Sequence, residues 1–265
     1  MKNWLITACV AAVLVGCKTS PTGRTQIALY SEDQMAQMGS ASFDELKKST
    51  PQESNQKTNK YVQCVAFKII EQLPQDLRKL EWEVVVFKDD SANAFALPGG
   101  KIGVHTGLLT VAKDQHQLAA VLGHEVAHVT ARHANERISQ GALVQTGLQL
   151  GNVALQMGDI KYRSEIMQAL GLGTQVGIVL PFSRSHESEA DIVGLQYMAK
   201  AGFEPSGAIA LWQNMSEANG QRQPEFLSTH PAPENRIKQL RAHLTQVQPL
   251  SEEAKAKGIS ASCGS

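Results

Sequence analysis

The chain has 265 residues, 42% of them apolar and 19% charged, with 25 basic and 25 acidic side chains and a formal net charge of +0. That length and balance suit one compact domain with a sizeable core, and they exclude disorder and collagen-like repeats. No run of like charge offers a footprint for nucleic acid, so no nucleic-acid partner is expected.

The first residues, "MKNWLITACVAAVLVGC", carry one cation at Lys2 and then an apolar run from Trp4 to Val15. The run is too short to span a bilayer and reads as the core of a signal peptide. It ends in Leu14-Val15-Gly16-Cys17, which resembles the bacterial lipobox. On that reading residues 1–16 leave as signal peptide and Cys17 becomes an acylated N-terminus, anchoring the segment 17–30 to a membrane. The competing reading is a signal peptide cleaved elsewhere, with Cys17 incidental. Lys18 after the cysteine matches the sorting pattern of lipoproteins bound for the periplasmic face of the outer membrane. Cys9 lies in the leader, which leaves Cys64 and Cys263 as thiols. In an oxidising compartment they pair and tie the C-terminal tail to an early helix, unless Cys64 stays a buried free thiol.

Apolar spacings of three and four predict amphipathic helices over Ser31–Lys48 and Lys57–Leu73, separated by the polar "STPQESNQ". "LEWEVVVFK", from Leu80, reads as a strand, and "NAFALPGGKIGVHTGLL" as a second strand, a Pro-Gly-Gly turn and a third. Residues from Asp114 to Gln140 hold one glycine, Gly123, and no proline, so one long helix is expected there. From Gly141 to Gly177 glycine is frequent among apolar residues, which weakens helix and reads as a pair of loosely held helices or a mobile flap that keeps the site latent, rather than as core. Further helices are expected over His186–Ala201, Ser206–Asn219 and Pro233–Thr245. The main domain is placed at 31–250, with 251–265 as a tail.

The stretch "VLGHEVAHVT" sets His124 and His128 four apart around Glu125. A helix places residues i and i+4 on one face, so both imidazoles can meet one ion with Glu125 beside it. A catalytic zinc takes three protein ligands, so a third donor must come from elsewhere. "SRSHESEAD" supplies His186, Glu187, Glu189 and Asp191. Glu187 and Asp191 share a helix face: one can ligate while the other accepts the spare N–H of a ligand histidine. Glu189 falls about 160° away from that face. His105, His116, His133 and His243 are read as ordinary histidines.

"HEVAH", the Gly-rich stretch, "SRSHESEAD" and "THPAPENRI" occur in that order, after "SPTGRTQIAL" and "NAFALPGGKIGVHTGLL". Together they resemble the zinc metalloprotease family that contains the CAAX prenyl protease, HtpX and the periplasmic BepA and LoiP proteases, and most closely its periplasmic lipoprotein branch. The resemblance implies an α+β, mostly helical, zincin-like metalloprotease domain with a small β-sheet beside the active-site helix. It implies one Zn2+ per chain held by His124, His128 and Glu187, Glu125 as general base, and Asp191 as the carboxylate that orients a ligand histidine. Glu125 would take a proton from the attacking water and return it to the leaving amine. The histidine of Thr229-His230-Pro231 resembles one that lies at the active site in the BepA branch, where it can donate to the oxyanion or close off the metal. His230 as a cap for the next helix is the plainer alternative. Transmembrane segments like those of the prenyl protease and HtpX are not found. The 35 residues after His230 leave no room for BepA's C-terminal repeat domain.

The strand pair from Asn93 to Val104, with Asn93, Ala94 and Phe95 foremost, is placed to accept an extended peptide as a further strand, or else is purely structural. The expected function is a zinc-dependent metalloendopeptidase of the bacterial cell envelope acting on unfolded or misassembled proteins, with the outer-membrane assembly machinery as a further partner. The alternative is a non-catalytic zinc-binding lipoprotein that serves as a chaperone or assembly factor.

Overall fold

The computed structural model describes residues 17–143, 182–218, 225–230 and 236–264. The signal peptide and nearly all of the Gly141–Gly177 stretch lie outside the described residues. Within them the fold is α+β and mostly helical.

A short antiparallel hairpin comes first, β1 (Cys17–Thr19) and β2 (Thr25–Ile27), with Cys17 opposite Ile27. Helix α1 (Glu32–Ser49) starts at a reciprocal cap: the Gln34 amide donates to the Ser31 hydroxyl and the Ser31 amide to the Gln34 side chain. Asn55 caps α2 (Gln56–Ile70) by accepting from the Lys57 and Thr58 amides. Three strands follow, β3 (Glu83–Phe87), β4 (Ala94–Leu97) and β5 (Lys101–His105), in the sheet order β3-β5-β4. β5 runs parallel to β3 and antiparallel to β4, which leaves β4 as an edge. The turn between β4 and β5 places Gly99 and Gly100 at φ 84° and 83°, a conformation that favours glycine.

The remaining helices form the centre. Asp114 caps α3 (Gln115–Thr130), the chain is again helical at 133–143 (α4), and α5 (Arg184–Lys200) packs along α3. Helices α6 (Gly207–Ala218) and α7 (Arg236–Ala256) cover α3 and α5 respectively. Leu118, Leu122 and Val126 of α3 meet Ile69 of α2, Ile102 of β5, Met198 of α5 and Met215 of α6 in one core, each no more than 1% exposed. No described helix is long and apolar enough to cross a membrane.

Two departures from the sequence expectations bear on the site. The expected single helix over Asp114–Gln140 breaks at Ala131–Arg132, where Arg132 takes φ 56°. The Gln26 side chain of β2 donates to the Ala131 carbonyl at 2.6 Å, satisfying a group that the break leaves open. Helix α7 also runs well beyond Thr245, through Pro249 to Ala256. After it the chain returns to the core, where Cys263 forms a disulfide with Cys64 of α2 across a separation of 199 residues.

Helices α3 and α5 approach closely because glycine faces glycine at their crossing. A Cβ on Gly194 would lie 2.8 Å from the His124 amide nitrogen, and one on Gly123 would lie 2.9 Å from the Gly194 carbonyl oxygen. Both obstacles are backbone, so neither can move aside without separating the helices. Gly194→Ala is therefore expected to lower stability by about 1–3 kcal/mol and to reduce metal content, since His124 sits directly at the contact. Denaturant unfolding combined with metal analysis checks this; a variant as stable and as metal-rich as the wild type would contradict it.

Candidate metal centre

His124 and His128 lie one turn apart on α3, and α5 brings Glu187 against them; all three are at least 96% buried. His230, just after the helical turn Phe226–Thr229, completes the group. The Nε2 atoms of His124 and His128 are 3.0 Å apart, and lie 3.4 and 3.5 Å from the two Glu187 oxygens. His230 Nδ1 is 3.3 Å from His124 Nε2 and 3.0 Å from Glu187 Oε1. Four donors bonded tetrahedrally at ~2.0–2.1 Å stand about 3.3–3.4 Å from one another. The cluster therefore fits one small divalent ion held by imidazole nitrogen and carboxylate oxygen, and it is the one such group found among the described residues.

The buried ligands are set by charge. Burial acts to lower the His124 pKa, but Glu187 and Asp191 outweigh it and push the ring up to about 9. Burial alone would raise Glu187; the charge of His124, with the His128 and His230 rings close by, instead holds it well below the carboxylate range. The His128 pKa is lowered by burial, so this ring stays neutral. Asp191 Oδ1 lies 3.0 Å from His124 Nδ1, the position from which it fixes the imidazole with Nε2 facing the cluster. Arg236 of α7 clamps both carboxylates, donating to Glu187 Oε2 at 2.9 Å and to Asp191 Oδ1 at 2.6 Å. Its guanidinium is 2% exposed and lies over the Trp212 ring, 4.0 Å from the centroid.

His133 is not an ordinary histidine. It follows the break at Arg132 directly and is fully buried, with Nδ1 2.9 Å from His128 Nδ1 and Nε2 3.1 Å from Glu189 Oε2. Glu189 does point away from the ligand cluster, but into a second buried polar group rather than solvent. There it meets Thr22 and Arg24 of the hairpin, and His186 pairs with Glu136 at 3.1 Å. Burial, followed by repulsion from His133, lowers the His186 pKa to about 4. Arg236 lies in "THPAPENRI" and Arg24 in "SPTGRTQIAL", but the sequence assigned neither a role; each arrives from an element far away in the chain.

Glu125 is 2% exposed. Its Oε2 accepts the Ala96 amide at 3.2 Å and its Oε1 lies 3.3 Å from His230 Nε2. Burial raises its pKa, against the opposing charges of His230 and His124. Of the residues expected to bind peptide, Asn93 and Ala94 flank the edge strand, but Phe95 does not face it. The Phe95 ring packs with Phe43 and Phe87 at centroid distances of 6.3 and 6.2 Å. Because the His105 amide donates to Asn93, the alternate residues Ala94 and Ala96 face the unpaired side of β4; Ala94 is buried there, and the partly exposed Ala96 is the one aimed at the site. His105 bonds Ser91, His116 accepts the Glu204 amide and His243 lies beside Gln246, all away from the cluster.

Two imidazoles one turn apart, a glutamate between them and a carboxylate from a second helix define a metallopeptidase centre of the zincin type. The sequence model of peptidase family M48 matches residues 56–244, and the chain belongs to that family. It is 38% identical to the mitochondrial metalloendopeptidase OMA1 of Schizosaccharomyces pombe over 193 residues, covering 72% of this chain and 54% of the relative. The corresponding protein of Danio rerio is 36% identical, with 83% and 48% covered. The beta-barrel assembly-enhancing protease of Escherichia coli is 27% identical over 265 residues, covering 94% of this chain and 54% of the relative. The chain thus spans about half the length of the curated relatives it matches.

A ligand needs its lone pair free, and His124 is protonated at neutral pH while its pKa stands near 9. Loading the site at about pH 7.5 should therefore release about one proton per ion, with affinity rising as the pH climbs towards 9. Calorimetry in buffers of different ionisation enthalpy reads the proton directly; an affinity independent of pH from about 6.5 to 8.5 would contradict the assignment.

Proposed function

We propose that the protein is a zinc metalloendopeptidase of the bacterial cell envelope, anchored through acylated Cys17 to the periplasmic face of the outer membrane, that cleaves unfolded or misassembled proteins. The observation that carries hydrolysis is the position of Glu125, a buried carboxylate beside three candidate ligands and aimed by the Ala96 amide. His124, His128 and Glu187 would hold zinc, which supplies Lewis acidity for a scissile carbonyl and acidifies water. Glu125 accepts the proton of the attacking water and delivers it to the leaving amine, a role that suits a carboxyl whose pKa is raised. The unpaired side of β4 at Ala96, the partly exposed part of this edge, takes an extended peptide as a further strand, binding backbone and so accepting many sequences. Beside it a cleft of about 240 Å³ is lined by Met35, Leu77, Leu80, Pro98 and Phe182, which suits the apolar side chains that unfolded proteins expose.

His230 holds the fourth corner. With Nδ1 against the ligands and Nε2 towards Glu125, it must swing away before water can enter, and on leaving it is free to donate to an oxyanion. The leader ending in Leu14-Val15-Gly16-Cys17, together with likeness to a beta-barrel assembly-enhancing protease, supports the envelope address and an assembly-machinery partner. The likeness to mitochondrial metalloendopeptidases supports the activity, not the address.

The test is casein degradation by the purified protein, wild type against Glu125→Gln at equal measured zinc content. Glu125→Gln should lose at least about 100-fold in rate. No cleavage by either form, with zinc bound in both, would favour the non-catalytic chaperone reading, and equal cleavage by both would contradict the role of Glu125. In the cobalt-loaded protein, azide should perturb the spectrum of His230→Ala and leave that of the wild type unchanged; equal responses would show that His230 does not close the site.

A further inference from the structure

We propose that the N-terminal hairpin is a positioning element of the metal centre, in which Arg24 fixes Glu189, Glu189 fixes His133, and His133 fixes the proton of His128. The inference rests on the reading of His128 as a ligand.

His128 presents Nε2 to the cluster, so a neutral ring must carry its proton on Nδ1. The acceptor for that proton is His133 Nδ1, 2.9 Å away. His133 can accept there only when its own proton is on Nε2, and that N–H donates to Glu189 Oε2 at 3.1 Å. The opposite arrangement would place the His128 proton on the nitrogen that faces the ligands, and would turn a lone pair of His133 towards a carboxylate. An anionic Glu189 therefore selects the tautomer of both rings. It performs through an intervening imidazole what Asp191 does for His124 directly.

The hairpin supplies what keeps Glu189 anionic and in place. The Thr22 hydroxyl donates to Glu189 Oε1 at 2.6 Å and the Thr22 amide at 3.2 Å. Arg24 donates to Glu189 Oε2 from Nε at 3.2 Å and from Nη2 at 3.1 Å. The same guanidinium forks onto Glu136, with both bonds 2.7 Å long. Glu136 in turn pairs with His186, whose ring stacks on His133 at a centroid distance of 4.4 Å and an interplanar angle of 21°. Edge and face of His133 are thus both set by groups that Arg24 holds.

The experiment measures zinc affinity by chelator competition, and the electronic spectrum of the cobalt-loaded form, for wild type, Arg24→Ala, His133→Leu and His133→Asn. Cys64→Ser serves as a variant destabilised away from the site. Arg24→Ala and His133→Leu should bind zinc about 10–100-fold more weakly and shift the cobalt bands. His133→Asn should recover most of the affinity, because its amide oxygen can accept the His128 Nδ1–H. Cys64→Ser should lower the thermal midpoint and keep wild-type affinity and spectrum. Wild-type affinity in both Arg24→Ala and His133→Leu, or equal losses in His133→Leu and His133→Asn, would overturn the proposal. A wild type that binds no zinc would overturn the reading of the site itself and this inference with it.

Discussion

A neutral imidazole can ligate through Nε2 only when its proton rests on Nδ1, and in this protein both ligand rings pass that proton to a buried carboxylate clamped by an arginine. His124 reaches Asp191 and Arg236 in one step, and His128 reaches Glu189 and Arg24 through His133. Asp191, Glu189 and Arg236 are out of water, where removing the partner of a buried charge costs about 3–5 kcal/mol because the charge is left uncompensated, whereas Arg24 stays partly exposed at the rim. That penalty gives the polar centre a single arrangement. It also explains why distant elements converge here: the hairpin at the start of the described chain and α7 near its end each contribute one guanidinium. The crossing of Gly123 and Gly194 sets the spacing of α3 and α5 on which the convergence depends.

The centre combines two features that pull in opposite directions. Glu125 and the unpaired side of β4 at Ala96 are arranged for work on an extended peptide, whereas His230 completes a four-donor shell of the closed kind that structural zinc sites use. One histidine links the two, since its Nδ1 meets the ligands and its Nε2 approaches Glu125. Phe182 stacks on His128 with a centroid distance of 4.0 Å, and Phe226 on His230 at 4.4 Å, so aromatic rings pack around the closed arrangement. In the proposed cycle, opening means exchanging these contacts for water and substrate.

What the sequence disclosed follows the range of the interactions involved. Helix starts at Ser31, Asn55 and Asp114 depend on caps within three residues, and the ligands His124 and His128 on the pitch of one helix. Periodicity could not foresee the break at Arg132, because the group that satisfies the freed Ala131 carbonyl is Gln26, about a hundred residues earlier. His133 was hidden for the same reason: along a continuous helix it lies more than two turns from His124, and its contact with His128 comes just after the break at Arg132. Asn93 and Ala94 were placed on the correct strand, but the alternation that hides Phe95 and exposes Ala96 depends on pairing with β5. The end expected near Thr245 falls short because Val247 and Ala254, on either side of Pro249, are buried, and their packing overrides the preference of proline against helix.

The most direct measurement is zinc-edge X-ray absorption on the purified protein with its metal counted per chain. One zinc per chain, in a four-coordinate shell of nitrogen and oxygen at about 2.0–2.1 Å with imidazole scattering beyond it, is the predicted result. A protein that takes up no zinc, or one that holds it at sulfur or with six oxygen ligands, would contradict the account at its centre.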